Sequence, residues 1–315
     1  MGQEQNSIEK RRLLTKAKDQ FIRSIVDEIL PALTVYGDQD EGIHHRDIPY
    51  HEHEGIQMHL DVYAPDAPGP HPVLVSYHGG GWMFGLRTNL QRCGKYLARQ
   101  GFVVFNVSYR LAPAHAFPTA MQDALCALRW VYDHAAEYGG DPEQIGVWGD
   151  SAGGHLSAMM AVGQHTPFVQ PKCQCNKSAT VKVNAAAHFY GIFDMARFSR
   201  LHFPFIRGIA HAVFGDKQND PEFMRAMSPE ALATAGNIPP TLLLCGTRDP
   251  LLGETRNYAK RLRRLGGTVE TRIFRNALHG FLYFWWSSEF ETALHYAAEH
   301  FKKHLSHAAD SEDAA

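Results

Sequence analysis

The sequence contains no apolar run long enough to span a bilayer, and charged residues crowd its first twenty positions. Those charges leave no room for the apolar core of a secretory signal. A myristoyl group on Gly2 is not expected either, because Asn6 stands where serine or threonine is required. We therefore predict a cytoplasmic protein without a membrane span.

Cysteine is scarce, with five in 315 residues, and an odd number provides no disulfide framework. Cys93, Cys126 and Cys245 lie in apolar stretches and are predicted to be small core residues. Cys173 and Cys175 stand in a polar stretch, without the spacing of a zinc site. We expect these two to be free surface thiols, which fits a reducing compartment.

Net charge is also close to zero, because 31 Lys and Arg residues face 33 Asp and Glu residues. Nothing in this balance favours a nucleic acid or an anionic membrane as a partner. A hydrophobic content of 44% with 20% charged residues is ordinary for a globular chain. The length is compatible with one large α/β domain.

A strand, a tight turn and a helix are predicted around Ser151. The turn is Gly149-Asp150-Ser151-Ala152-Gly153-Gly154, which follows an apolar run over 145–148 and precedes a helical pattern over 152–161. This is the context in which G-x-S-x-G exposes a serine as a nucleophile. Asp150 is assigned to the turn, with its side chain directed away from the line of attack.

A glycine run follows the apolar stretch 73–77 and reads His78-Gly79-Gly80-Gly81-Trp82. Adjacent glycines suit a place where bare backbone must approach a ligand closely. In a serine hydrolase the N–H groups of Gly80, Gly81 and Ala152 would bind the oxyanion of the tetrahedral intermediate. The alternative is a flexible loop between a strand and a helix.

Asp249 lies in a turn directly after the apolar stretch 240–245. A carboxylate at the carboxyl end of a strand can orient a histidine and stabilise it once it is charged. Asp-Pro is also a common turn signal, so an ordinary turn residue is the alternative. The neighbouring motifs favour the catalytic interpretation.

The order Ser, Asp, His requires a histidine beyond Asp249. His279 follows the strand-like stretch 271–274 through a short loop, where a general base is needed, and we assign this role to it. The other candidates lie in a helical pattern from 291 to about 307. They are His295, His300, His304 and His307.

Two groups of histidines have the spacing of metal ligands. His300, His304 and His307 follow i, i+4, i+7 spacing, but a solvated helix face is the simpler interpretation. His51 and His53 would share one face of a strand, in a hairpin with its bend at Glu54-Gly55. A solvated edge hairpin is expected there, so no metal site is predicted.

These motifs resemble the hormone-sensitive-lipase-like branch of the α/β-hydrolases. The resemblance also includes Asp249-Pro250-Leu251, His279-Gly280-Phe281 and Ser108-Tyr109-Arg110-Leu111-Ala112-Pro113, and it spans about residues 47 to 305. It implies a mostly parallel central sheet with helices on both faces and a helical cap. It further implies Ser151 as nucleophile, His279 as base, Asp249 as its orienting acid, and no cofactor.

The domain organisation follows from the alternation of strands and helices with one aromatic-rich interruption. Residues 41–191 and 237–308 are expected to form the α/β-hydrolase core. Residues 192–236 would be a cap insertion, joined by an N-terminal helical segment over 1–40. Residues 309–315 are predicted to be a disordered acidic tail.

The expected activity is hydrolysis of carboxylic esters with short- to medium-chain acyl groups through an acyl-enzyme. The partner is then a small-molecule ester, and a homodimer is a family expectation. Trp82, Phe281 and Leu282 are candidate walls of the substrate pocket. The alternatives are an N-formyl amidase of the kynurenine formamidase type and a non-catalytic small-molecule receptor on the same fold.

Overall fold

An eight-stranded sheet organises the part of the chain that the computed structural model describes, residues 43–169, 173, 180–198 and 206–305. The strands lie in the order β1-β2-β4-β3-β5-β6-β7-β8, in which β2 runs antiparallel to both β1 and β4 and all the other neighbouring pairs are parallel. Their bounds are Ile43–His53 (β1), Ile56–Ala64 (β2), His71–Tyr77 (β3), Val103–Val107 (β4), Gly140–Asp150 (β5), Ala185–Phe189 (β6), Thr241–Gly246 (β7) and Val269–Phe274 (β8).

Helices connect the parallel strands, as the alternating sequence pattern predicted. The bounds are Gln91–Arg99 (α1), Thr119–His134 (α2), Ala152–Val162 (α3), Met195–Phe198 (α4), Ile206–Phe214 (α5), Pro221–Ala226 (α6), Pro229–Leu232 (α7), Leu252–Arg264 (α8) and Ser288–Leu305 (α9).

Side chains of the central strands alternate between two apolar layers. In β3, Val73 and Val75 pack into the cluster that contains α2 and α3, whereas Leu74 packs into the cluster that contains α1 and α9. Because strand side chains point to opposite faces in turn, helices on both faces are needed to bury them. The described residues therefore have the three-layer α/β architecture that the sequence predicted.

The first two strands form the predicted hairpin at one edge of the sheet. Its bend is at Glu54 and Gly55, whose φ angles are 53° and 78°. Two consecutive residues with positive φ form the type of turn that matches the twist of a hairpin. His51 and His53 stack on each other with ring centroids 6.2 Å apart.

The described parts of 192–236 form the short helices α4 to α7. These helices are bonded to loops of the neighbouring fold, since the Thr166 hydroxyl donates to the Ala226 carbonyl and the Phe117 amide donates to the Val213 carbonyl. The predicted N-terminal helical segment (1–40) and acidic tail (309–315) lie outside the described residues. No helix among the described residues is long and apolar enough to cross a membrane.

Two side chains differ from the sequence predictions. Cys173 is buried and disulfide-bonded, so the expectation of a free surface thiol is wrong for it, while Cys175 lies outside the described residues. The cytoplasmic location stays a prediction. A disulfide at Cys173 no longer supports the reducing compartment that free thiols had suggested. His300 is 4% exposed, so the solvated helix face is wrong at that position.

Candidate active site

Ser151 lies at the apex of a tight turn between β5 and α3. Its backbone has φ 51° and ψ −114°, a conformation that a side chain adopts only under strain. A Cβ at Gly153 would come 1.9 Å from the Tyr77 carbonyl oxygen, and one at Gly149 would come 2.4 Å from the Gly153 carbonyl oxygen. Only glycine fits at these two positions, which explains the predicted glycine pattern of the turn.

The turn holds the serine hydroxyl against His279. The Ser151 Oγ lies 2.9 Å from His279 Nε2, and His279 Nδ1 lies 2.9 Å from Asp249 Oδ2. A carboxylate oxygen only accepts hydrogen bonds, so Nδ1 carries the proton and Nε2 presents its lone pair to the hydroxyl. The three residues that the sequence singled out therefore form one continuous hydrogen-bonded chain.

The Asp249 carboxylate is held in place by a contact other than the one with His279. Its side chain is fully buried, and its Oδ1 accepts the Leu251 N–H at 2.7 Å, which leaves Oδ2 for His279. The His279 side chain is 36% exposed, and Tyr190 packs against its ring at 4.8 Å between centroids. A buried acid and a half-exposed imidazole suit an orienting group and a base that must reach a substrate.

The glycine run after β3 lies beside the hydrogen-bonded residues Ser151, His279 and Asp249. Gly80 and Gly81 have φ angles of 115° and 60°, and a Cβ on Gly80 would come 2.2 Å from the Phe84 carbonyl oxygen. Ala152 is the first residue of α3, so helix geometry leaves its N–H without an acceptor inside the helix. These are the groups that the sequence assigned to an oxyanion hole.

Asp150 has a connection that the sequence prediction missed. Its Oδ1 accepts the N–H of Gly79 at 2.7 Å, so the residue before the nucleophile ties the serine turn to the glycine loop. The hydroxyl groups of Tyr190 and Tyr283 also bond to this carboxylate. The Asp150 side chain is fully buried and holds the glycine loop as well as the turn.

Burial raises the pKa of Asp150 from 3.8 to about 6, against the lowering effect of the Gly79 N–H and the tyrosines. Between these two values the folded protein holds a proton that the unfolded chain has lost, so this group makes stability fall as pH rises. Above about pH 6 the cost of its buried charge is constant, at about 3 kcal/mol.

We predict that Asp150→Asn removes this dependence, because the amide does not ionise. The free energy of unfolding of the wild type, minus that of the variant, should fall by about 2 kcal/mol between about pH 4 and about pH 7. Urea unfolding of both proteins across this range is the measurement. Parallel pH profiles for the two proteins would contradict the raised pKa of Asp150.

The Tyr109 and His78 side chains support the glycine loop through hydrogen bonds to its backbone carbonyls. The Tyr109 hydroxyl donates to the His78 carbonyl at 2.6 Å, and the two rings stack at 4.3 Å. His78 Nδ1 lies 2.7 Å from the Gly79 carbonyl oxygen and donates to it. Burial lowers the pKa of His78 to about 4, so the ring is a neutral brace for the loop.

The predicted pocket walls are buried in this structure. Trp82 packs edge-on against Phe117, His155 and Phe198, the last of which belongs to α4. Phe281 packs against Tyr190 and Phe274, and Leu282 is also buried. Contact of these three residues with substrate stays a prediction.

The helix α5, which lies in the predicted cap segment, reaches the glycine loop directly. The side chain of Ile209 in α5 lies 3.8 Å from the point where a Cβ on Gly81 would stand. Since α5 belongs to the 192–236 segment, the described part of that segment borders the glycine loop that the sequence assigned to an oxyanion hole. An apolar side chain there would exclude water from one side of the reaction.

Comparison with known protein families agrees with this fold and geometry. The sequence model of the family designated BD-FAE matches residues 60–259, which contain the glycine loop, the serine turn and Asp249. The chain belongs to this family. His279 lies beyond the matched BD-FAE region, so its place in the hydrogen-bonded chain rests on the structure.

Individual relatives of this BD-FAE family member carry ester hydrolase names. Carboxylic ester hydrolase LipN of Mycobacterium tuberculosis is 32% identical over 257 residues, covering 72% of this chain and 66% of LipN. Three curated mycobacterial relatives are covered over 55% to 66% of their own lengths, so the chain spans only part of them.

Solved structures extend the similarity to most of the fold. EstE1, a thermostable carboxylesterase cloned from a metagenomic library, has a TM-score of 0.76 at 28% identity, over 91% of this chain and 98% of EstE1. Propionate-bound Est2, an esterase of Thermogutta terrifontis, has a TM-score of 0.69 at 26% identity, over 82% of this chain and 93% of Est2. The BD-FAE family member therefore has the α/β-hydrolase fold that its motifs implied.

Proposed function

We propose that this protein is a serine carboxylester hydrolase that cleaves esters with short- to medium-chain acyl groups through an acyl-enzyme. The observation that carries the proposal is the hydrogen-bonded chain from Ser151 through His279 to the buried Asp249. The ester hydrolase names of relatives and structural neighbours support the same reaction class.

In the acylation half, His279 Nε2 takes the proton from Ser151 Oγ as the oxygen attacks the ester carbonyl carbon. The carbonyl oxygen becomes an oxyanion, which the N–H groups of Gly80, Gly81 and Ala152 receive. His279 then carries a positive charge that the Asp249 carboxylate stabilises. When the tetrahedral intermediate collapses, His279 gives its proton to the leaving alcohol.

In the deacylation half, water takes the place of the alcohol. His279 removes a proton from the water as its oxygen attacks the acyl carbon on Ser151. The second tetrahedral intermediate has its oxyanion at the same backbone donors. Its collapse returns the proton to Ser151 Oγ and releases the carboxylic acid, so one group acts as base and then as acid in each half.

Short acyl groups are supported by two observations. Est2 of Thermogutta terrifontis has been solved with propionate and with butyrate bound, and this chain is 26% identical to it. In this protein Trp82 packs edge-on against Phe117, and Phe281 packs edge-on against Tyr190, so both rings are held in buried contacts. Fixed aromatic walls of this kind favour a short acyl chain.

The ester reaction is distinguished from the formamidase alternative by substrate. We predict that kcat/KM for p-nitrophenyl butyrate exceeds that for N-formylkynurenine by at least about a hundredfold, since the relatives are named as ester hydrolases. Steady-state kinetics with both substrates is the measurement. A preference for N-formylkynurenine would replace the proposal, and inactivity of the folded protein on both would favour a receptor.

A further inference from the structure

A second group of side chains with metal-binding chemistry lies at the other end of the sheet. His300 and His304 stand one turn apart near the end of α9, and Glu270 is the second residue of the edge strand β8. One ligand atom from each of the three lies within 4.8 Å of the others. The catalytic His279 follows the opposite, carboxyl end of β8, so this cluster is separate from the active site.

The orientation of the His300 ring directs one of its nitrogens toward Glu270. His300 Nε2 lies 3.3 Å from the Pro240 carbonyl oxygen, which only accepts, so Nε2 carries the proton. Nδ1 then presents a lone pair toward Glu270, whose Oε1 lies 3.9 Å away. Two acceptors therefore face each other, and Nδ1 is buried without a hydrogen-bond partner in the described structure.

The imidazole of His304 also has a ring nitrogen that makes no hydrogen bond among the described residues. The rings of His300 and His304 are 4.8 Å apart between centroids, and His304 Nε2 is also buried without a hydrogen-bond partner among the described residues. Neutral imidazole is the form that binds metal ions.

We infer that Glu270, His300 and His304 form a binding site for a divalent transition-metal ion, with Zn²⁺ as the ion that fits this donor set best. Two imidazoles and one carboxylate are a recurrent zinc donor set with the fourth position open to water. The bond from His300 to the Pro240 carbonyl is the outer contact that fixes the tautomer of a metal-binding histidine.

Only modest movement is needed to close the site. Ligand atoms around tetrahedral zinc lie about 3.3 Å apart, against the 4.8 Å limit found here. His300 is buried, whereas Glu270 and His304 are half-buried, so a change in the side-chain torsions of these two residues would bring the ligand atoms together. The metal would join the end of α9 to the edge strand, so its expected effect is on stability.

Two cations now share the Glu270 carboxylate. Lys303 Nζ lies 3.4 Å from Oε1, and an Arg272 nitrogen lies 3.3 Å from Oε2. The Lys303 side chain is 63% exposed, so its ion pair is weak and a metal ion can displace it. Removal of Lys303 should therefore strengthen metal binding. If Glu270 served only as the ion-pair partner of Lys303, the same change would have no effect on metal affinity.

The test uses the full-length protein treated with EDTA and then titrated with ZnCl₂ against a chromogenic chelator. The wild type should bind one Zn²⁺ that His304→Ala or Glu270→Gln weakens at least about tenfold. Lys303→Met should tighten it about two- to fivefold. The exposed His295 on the same helix offers the control His295→Ala, which should leave the Kd unchanged.

Thermal unfolding gives an independent readout. Zn²⁺ at about a hundred times its Kd should raise the Tm of the wild type by about 4 °C, and this rise should disappear in His304→Ala. Mg²⁺ should have no such effect, because it prefers oxygen ligands. Hydrolysis of p-nitrophenyl butyrate should be the same in wild type and His304→Ala, whatever its absolute rate.

The outcomes that overturn the site are equally definite. Equal zinc affinity in the wild type, His304→Ala and Glu270→Gln would show that the ion binds elsewhere. Loss of the site in a His51→Ala/His53→Ala double variant, with His304→Ala unaffected, would assign the ion to the hairpin. The surface variants avoid the buried His300, whose replacement could unfold the protein.

Discussion

Ser151→Ala should lower kcat for p-nitrophenyl butyrate by about five to six orders of magnitude, to the residual rate that binding and the oxyanion donors supply. The hydroxyl lies 2.9 Å from His279 Nε2 at the apex of the strained turn, and no other described serine bonds to that histidine. The measurement is steady-state hydrolysis with equal concentrations of the two purified proteins.

Controls for Ser151→Ala separate chemistry from folding. Alanine has less bulk than serine and keeps the backbone N–H, so thermal unfolding and circular dichroism should match the wild type. Ser288→Ala, at an exposed serine that begins α9, should retain full activity. Activity retained in a folded Ser151→Ala protein would exclude this residue as the nucleophile.

Asp249→Asn should lower kcat by about four orders of magnitude with little change in KM. An asparagine amide directed at His279 Nδ1 would favour the tautomer with its proton on Nε2, which cannot accept the Ser151 proton. The buried carboxylate also stabilises the imidazolium that forms during the reaction. Steady-state kinetics of the variant, with kcat and KM determined separately, is the measurement.

The matched control for this change is Asp66→Asn, at an exposed aspartate in the loop after β2. The same loss of a charge there should leave kcat within about twofold of the wild type, as surface substitutions usually do. A small effect of Asp249→Asn, comparable to that of Asp66→Asn, would mean that His279 is oriented by something else.

The strands, the mostly parallel sheet and the order of Ser151, Asp249 and His279 along the sequence were predictable because they depend on local patterns. The glycines at 149 and 153 indicate a turn with no space for Cβ atoms, and the structure places carbonyl oxygens at those points. Asp249 follows the apolar strand β7 and His279 follows the neighbouring edge strand β8, and parallel strands bring their carboxyl ends to one edge of a sheet. Their side chains meet there.

Contacts between distant segments were beyond the sequence patterns. The bond from Asp150 to the Gly79 N–H joins residues 71 positions apart, and no periodicity signals it. The burial of Cys173 similarly depends on how a loop packs on the rest of the fold. Such contacts follow from the tertiary arrangement, which a single sequence does not specify at the level of individual side chains.

The burial of His300 is different, because a signal for it was present. His300 lies three residues after Ala297 and seven after Ala293, on the same stripe that carries the apolar residues of α9. A histidine on an apolar stripe must pair its ring nitrogens or leave one unsatisfied. The sequence interpretation gave more weight to the polarity of histidine than to its helical position.

The proposed reaction requires a covalent acyl-enzyme on Ser151, and this intermediate can be trapped. The protein is mixed with excess p-nitrophenyl butyrate, quenched in acid within the first turnovers, and measured by intact-mass and peptide mass spectrometry. We predict one butyryl group, on the peptide that contains Ser151, and none in Ser151→Ala. A butyryl group on another residue, or turnover that continues in Ser151→Ala, would contradict the mechanism.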